Sequence, residues 1–263
     1  MIANYHTHTA RCMHAFGTDE EYVEKAVAEE LKILGFSDHA PFTYRDGYVS
    51  SYKMTLDGAN EYFSSINSLR EKYSDKIEIK IGYEAEYYPE LWSDTLEAWK
   101  KCPPEYLILG QHFIDFECQN GVKGDHSYRQ FGHPDRERVT KYVNRVIEGL
   151  ATERFSCLAH PDMVSFSGDA DFFLSEMERL IEATRKYGVP FEFNLLGFSE
   201  GRTYPREDFW RLAGSLGCSA VIGCDAHEPR RVADKKELSN ARAILASCGV
   251  KILDTIELRD PLK

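Results

Sequence analysis

No apolar run in the 263 residues approaches the roughly 18 consecutive positions that a membrane-spanning helix requires, so a spanning helix is excluded. No Cys-x-x-Cys pair occurs among the seven cysteines, an odd complement that reads as reduced thiols in a reducing compartment. Basic charge is scarce: 32 Lys and Arg stand against 43 Asp and Glu, for a formal net charge of −11. There is no basic stripe of the kind a phosphate-tracking nucleic-acid binder needs, so no nucleic-acid partner is expected. The opening Met1-Ile2-Ala3-Asn4-Tyr5-His6 has neither a basic n-region nor an apolar h-region, and the expected address is the cytoplasm. Internal repeats, low-complexity tracts and Gly/Ser/Pro linkers are missing as well, which predicts one domain over residues 1–263.

What is present is an ordinary globular balance, with 43% hydrophobic and 29% charged residues, and an alternation of strand-like and helix-like segments. Ile2–His6 reads as a first strand. Thr18-Asp19-Glu20-Glu21 is a capping box that opens a helix. Further strands are expected at Leu34–Ser37, Ile77–Tyr83, Tyr106–Gly110, Phe155–Ala159, Pro190–Asn194 and Ser219–Cys224, with a short last one at Val250–Leu253. Helices are expected between them, at Leu56–Tyr73, Glu90–Lys101, Pro134–Glu153, Asp171–Tyr187, Pro205–Leu216 and Lys236–Ser247. Seven βα units predict an α/β fold, a distorted TIM-like (β/α)7 barrel, with a doubly wound open sheet as the alternative. Residues 113–133 are too long for a tight turn and read as an insertion near the barrel mouth.

The chemistry-bearing residues gather at the strand ends. The first strand ends in His6-Thr7-His8, an i,i+2 pair whose imidazoles project to the same side of an extended chain and can converge on one ion. Later strands end in Ser37-Asp38-His39, Gly82-Tyr83-Glu84, Gly110-Gln111-His112, Ala159-His160-Pro161-Asp162 and Gly223-Cys224-Asp225-Ala226-His227. With His14 in the first loop, seven of the nine histidines lie at or just beyond such ends. In a parallel barrel these ends open onto one face, and that face carries the chemistry. Imidazoles with carboxylates suit zinc, iron(II), manganese or cobalt. Nine candidate ligands (His6, His8, His14, His39, Glu84, His112, His160, Asp225 and His227) are too many for one open catalytic ion and fit two or three divalent ions. Asp38, Glu86 and Gln111 are read as groups that orient imidazoles.

These residues, in this order, resemble the polymerase-and-histidinol-phosphatase (PHP) superfamily over essentially the whole chain. Within it, Ser37-Asp38-His39-Ala40-Pro41 with Ser51-Tyr52-Lys53-Met54, and Phe191-Glu192-Phe193-Asn194 leading to Gly197 and Tyr204-Pro205, are similar to the monofunctional histidinol-phosphate phosphatases. The resemblance implies a trinuclear centre: His6, His8, Glu84 and Asp225 for one metal, Glu84 (bridging), His112 and His160 for the second, and His14, His39 and His227 for the third. It also implies hydrolysis of a small phosphate monoester by a metal-bridging hydroxide, in histidine biosynthesis. A basic residue that family members often carry after the His-x-Asp is missing here, where the chain reads Met163-Val164-Ser165-Phe166. Arg202 is then the expected phosphate clamp, with Arg129 or Arg45 as a second arginine. Asp162 is the first candidate for the acid that protonates the leaving alkoxide, followed by His126 and His133. Asp115, Phe116, Glu117, Tyr52 and Phe42 lie on loops that could receive the amine and imidazolium of histidinol phosphate. The competing readings are a PHP-type phosphoesterase acting on nucleotides and a catalytically silent metal-binding domain.

Overall fold

Short apolar strands, most of them followed by an amphipathic helix, call for helices over the outer face of a parallel sheet, and the computed structural model, which describes residues 1–263, has this arrangement. The strands are β1 (Ala3–Asn4), β2 (Ile33–Phe36), β3 (Glu78–Ala85), β4 (Tyr106–Leu109), a hairpin of β5 (Cys118–Gln119) and β6 (Val122–Lys123), then β7 (Cys157–Leu158), β8 (Phe191–Asn194), β9 (Ser219–Gly223) and β10 (Lys251–Ile252). The helices are α1 (Asp19–Ala28), α2 (Leu56–Lys72), α3 (Pro89–Trp99), α4 (Arg136–Leu150), α5 (Ala170–Tyr187), α6 (Leu195–Ser199), α7 (Glu207–Ser215) and α8 (Lys235–Ser247). Every strand but those of the hairpin lies in one parallel sheet of order β1-β2-β3-β4-β7-β8-β9-β10.

The sheet closes at its mouth. Beyond the ends of β1 and β9, Thr7 and Ala226 form a parallel bridge, with His8 N–H donating to Ala226 O at 3.0 Å and Ala226 N–H to His6 O at 3.2 Å. Lower down, β9 pairs instead with β10, at Ser219 and Ala220. The result is seven strands around the mouth with β10 wedged into the seam below, a distorted TIM-like barrel, and the open doubly wound alternative falls. The first strand is shorter than the expected Ile2–His6 because the Asn4 side chain takes over the ladder's work. Its Oδ1 accepts the His6 and Cys224 N–H groups (3.2 and 3.1 Å), and its Nδ2 donates to Thr7 Oγ1 at 2.8 Å.

The capping box forms as the sequence predicts: Glu21 N–H donates to Thr18 Oγ1 at 3.3 Å and Thr18 N–H to Glu21 Oε2 at 2.6 Å. A cap of this type contributes about 1 kcal/mol. Helices and sheet enclose the larger apolar core, while Tyr5, Tyr106, Ile108, Cys157, Ala159, Val221 and neighbours fill the barrel interior as a second cluster. The Tyr106 hydroxyl inside it donates to the carbonyls of Tyr5 and Phe36 (2.9 and 3.1 Å), tying β4 to the first two strands. No helix is long and apolar enough to cross a membrane.

Residues 113–133 are ordered by pairing rather than left as an irregular loop. The β5–β6 hairpin is continued by an antiparallel Phe113–His126 bridge and by Ile114 N–H donating to Asp125 O at 2.9 Å. Arg138 of α4 holds its base through Asp125 Oδ2 (2.5 Å) and the His126 carbonyl (2.7 Å). The flap therefore stands over the mouth with His126 at its inner edge.

Candidate metal centre

Strand alternation explains which side chains reach the barrel axis. On β8, Phe191 and Phe193 pack outward against Phe209 and Trp210 of α7, which turns Glu192 and Asn194 inward. Glu192 Oε2 then accepts His6 Nδ1–H at 2.7 Å, and Asn194 Nδ2 donates to Asp225 Oδ2 at 3.0 Å. Glycines make room for the acids: a Cβ at Gly110 would sit 2.0 Å from Glu84 Oε1, and one at Gly223 would sit 2.0 Å from Glu192 Oε2. His160 and Asp225, at φ 30° and 48°, occupy left-handed backbone that side chains rarely adopt. Strain of this kind costs of order 1–3 kcal/mol per residue and gathers where geometry is needed for function.

All nine expected ligands converge. Glu84 Oε1 lies 2.8 Å from His160 Nε2 and 3.3 Å from His112 Nε2. Its Oε2 lies 3.0 Å from His39 Nδ1 and 3.5 Å from both His6 Nε2 and His8 Nε2. Asp225 Oδ1 is 3.1 Å from His8 Nε2 and 3.5 Å from His6 Nε2. His14, His39 and His227 form a further cluster. The same proximity joins the buried Cys12 thiol to His8 and His227, although that thiol donates to the Thr9 carbonyl at 3.1 Å.

The hydrogen bonds behind these groups decide whether cations fit. His6 and His8 spend their Nδ1–H on Glu192 (2.7 Å) and Asp38 (3.3 Å), leaving two bare Nε2 lone pairs that face each other at 3.1 Å. His14 and His227 spend theirs on the carbonyls of Cys12 (2.7 Å) and Asp225 (3.0 Å), and their Nε2 atoms are 3.0 Å apart. Facing lone pairs repel unless positive charge lies between them. The buried His39 Nδ1 and Glu84 Oε2 approach closely but make no hydrogen bond, as donors aimed at a common third atom do. Burial would raise the Glu84 carboxyl, yet His112, His6, His39 and His160 together hold it well below the usual carboxylate range. Burial would likewise lower His6, but Glu192, Asp225 and Glu84 push it well above the ordinary imidazole value, so its Nε2 lone pair takes either a proton or a metal ion. The cluster demands positive charge, and N/O donors at this spacing suit divalent transition metals.

A cavity of about 460 Å³ opens over the cluster, lined by His14, His39, His112, His160, Asp225 and His227 and by Tyr52, His126, Arg202, Tyr204, Glu200 and Glu228 among others. Arg202 is the only Lys or Arg in this lining. Its guanidinium donates to Glu200 (2.9 Å from Nε) and to the Tyr204 hydroxyl (2.9 Å) and lies over the Tyr128 ring. Neither proposed second arginine is brought in: Arg45 pairs with Asp94 at 2.9 Å, and Arg129 pairs with Asp125 on the flap. His126 lines the cavity, with its Nδ1 accepting Tyr128 N–H at 3.1 Å. His133 does not line it.

Other expectations land elsewhere. Asp162 is buried away from the lining, where its carboxylate accepts Arg206 N–H at 2.5 Å. Burial, only partly offset by that bond, lifts its pKa to about 6. Asp38 and Glu86 do orient imidazoles, but Gln111 touches none: its amide ties Tyr87 N–H to the Phe113 carbonyl (2.9 and 2.8 Å). Glu117 is buried and consumed by Lys53 (2.8 Å), Tyr44 (2.5 Å) and Tyr48 (2.8 Å), so it cannot receive a ligand. Glu192, Asn194 and Lys53 were not expected to serve the site, though all three lie in the runs that carry the family resemblance. A lone acid between two phenylalanines on an inner strand was the available signal for Glu192.

The PHP domain family model matches residues 4–195, and the chain belongs to this family of metal-dependent domains. Among curated proteins it is 24% identical to a probable histidinol-phosphatase of Deinococcus radiodurans, over 88% of each chain. It is also 24% identical to the histidinol-phosphatase of Lactococcus lactis, over 96% of this chain and 93% of that one. The crystal structure of the Lactococcus lactis histidinol phosphate phosphatase, in complex with zinc, L-histidinol and phosphate, superposes with a TM-score of 0.74 at 20% identity, covering 99% of this chain and 97% of that one. That likeness establishes the shared fold.

Proposed function

We propose that the protein is a metal-dependent phosphatase that hydrolyses L-histidinol phosphate to L-histidinol and phosphate. The observation that carries this reading is the convergence of nine N/O donors, with bare lone pairs facing one another, beneath a cavity whose single guanidinium is Arg202. The relatives named histidinol-phosphatase supply the substrate, and a cavity of about 460 Å³ suits a ligand of that size.

His6, His8, Glu84 and Asp225 would hold one divalent ion, Glu84 with His112 and His160 a second, and His14, His39 and His227 a third. When bound, such ions neutralise a phosphate dianion and lower the pKa of water toward neutrality. Glu84 sets the spacing between the first two positions. Glu192, Asp38 and Glu86 fix the imidazole tautomers from behind, which keeps the inward nitrogen of each ring a lone pair. Arg202 binds the phosphate oxygens, exchanging Glu200 for the incoming anion. His126 donates a hydrogen bond to the leaving oxygen: burial and the neighbouring His112 lower its pKa to about 3, and with Nδ1 accepting the Tyr128 N–H the neutral ring carries its one N–H on Nε2. The seven cysteines, six of them buried and none paired, accord with a cytoplasmic address.

The test is metal removal and return. The purified protein should hold more than one equivalent of transition metal, lose histidinol-phosphate hydrolysis on chelation, and regain it on titration with zinc, manganese or cobalt. Full activity with one ion or fewer would contradict the polynuclear reading.

A further inference from the structure

Behind the cavity, on the side of β3 and β4, lies a charged cluster whose buried ammonium, Lys53, no step above uses. Lys53 is 1% exposed. Its ammonium donates to Glu86 Oε1 at 2.7 Å and to Glu117 Oε2 at 2.8 Å, and lies 3.4 Å from the Tyr52 hydroxyl. The rings of Phe42, Tyr52, Tyr88 and Phe113 surround it, with centroids 4.8–5.8 Å away. A buried charge pair is rarely worth much to stability, because both ions must leave water. The cluster is better accounted for by what it holds.

Glu86 Oε1 is shared: the atom that accepts from Lys53 also accepts Nδ1–H of His112 at 3.2 Å, and Nε2 of that ring faces Glu84 at 3.3 Å. The same ammonium reaches Glu117, partway along the flap whose base brings His126 to the cavity. We propose that Lys53 is a positioning residue that fixes Glu86 beneath His112, so that one buried ammonium sets a metal-ligand orientation and the seating of the flap together. The inference rests on His112 being a ligand, as under the proposed function. Without the ammonium, Glu86 is free to turn. Its Oε2 already lacks a hydrogen-bond partner, so only the His112 N–H itself would then hold Oε1 under the imidazole.

Zinc-loaded protein provides the test, read as the rate of zinc release to a chromogenic chelator and as kcat and KM for p-nitrophenyl phosphate. Lys53→Met and Glu86→Gln should each speed the release of one class of zinc by about 10–100-fold, the scale of groups that orient ligands from behind. Both should lower kcat with little change in KM. The double variant should release zinc no faster than Glu86→Gln alone, because both changes cut the same link. Release from Glu86→Gln at the wild-type rate would overturn the proposal even if Lys53→Met failed to fold, and so would multiplicative effects in the double variant. A wild-type protein that takes up no metal would sink the functional reading itself. Tight metal binding with unaltered release from the variants would sink only the role of Lys53.

Discussion

Replacing Glu84 by Gln tests the centre where it is most connected. The side chain is 1% exposed, and its two oxygens lie within 3.5 Å of nitrogens from five histidines. Gln keeps the volume, so the packing of β3 survives. It also turns one acceptor into an NH2 donor facing imidazole nitrogens and deletes the charge shared by two proposed ion positions. The expected loss in kcat is roughly 10³-fold or more, about 4 kcal/mol of transition-state stabilisation. His14→Ala is the internal comparison. His14 is exposed at the rim and serves only the third position, through an Nε2 that stands 3.0 Å from that of His227. Its removal should cost about 10²-fold, near 2.7 kcal/mol. Both variants would be assayed on p-nitrophenyl phosphate with metal in excess, and their metal content measured by elemental analysis. Equal and mild losses, each within about tenfold of wild type, would show that Glu84 is not the hub.

Three further outcomes follow from the geometry. Gly110→Ala should lower activity and metal content together, since the new Cβ would sit 2.0 Å from Glu84 Oε1; retention of both would show that the strand gives way instead. Arg202→Met should reduce kcat/KM for p-nitrophenyl phosphate and histidinol phosphate by a similar factor, because a phosphate clamp ignores the leaving group; a loss confined to histidinol phosphate would reassign the residue. Burial would raise the Glu117 carboxyl, but Lys53, Ser50 and Tyr44 outweigh it and hold the pKa below the usual value. A depressed folded-state pKa contributes stability above the unfolded-state value, roughly pH 4.5, that is lost as pH falls through the folded-state value. Acid unfolding of Glu117→Gln should therefore show a shallower pH dependence below that point than wild type, and an unchanged slope would contradict the pairing.

The proposed metal ligands were legible in the sequence because a parallel barrel forces such groups into one pattern: a histidine or acid just after each short apolar run. His6 and His8, His39, Glu84, His112, His160, Asp225 and His227 all follow it, and the structure gathers them. The groups behind them were legible only where they sit next to a ligand, as Asp38 does beside His39. Lys53 meets Glu117 across 64 positions and His6 meets Glu192 across 186, distances over which no local periodicity carries information. Glu117 looked like a loop acid free to meet a substrate because its partner ammonium is invisible in the chain around it. Asp162 was expected at the cavity from its place two residues past His160. The left-handed backbone at His160 redirects the chain there, and the carboxylate meets the Arg206 amide. Most strands also came out shorter, as in β1, where a side chain replaces the ladder, while β3 runs on to Ala85.

Whether the proposed metal centre serves histidinol phosphate is read most directly from kcat/KM of metal-replete wild-type enzyme across a panel of small phosphate monoesters. Histidinol phosphate should exceed the nucleoside monophosphates by at least about tenfold, the equivalent of 1.4 kcal/mol in transition-state binding. A preference for nucleoside monophosphates would leave the metal centre standing and contradict the assignment of its substrate.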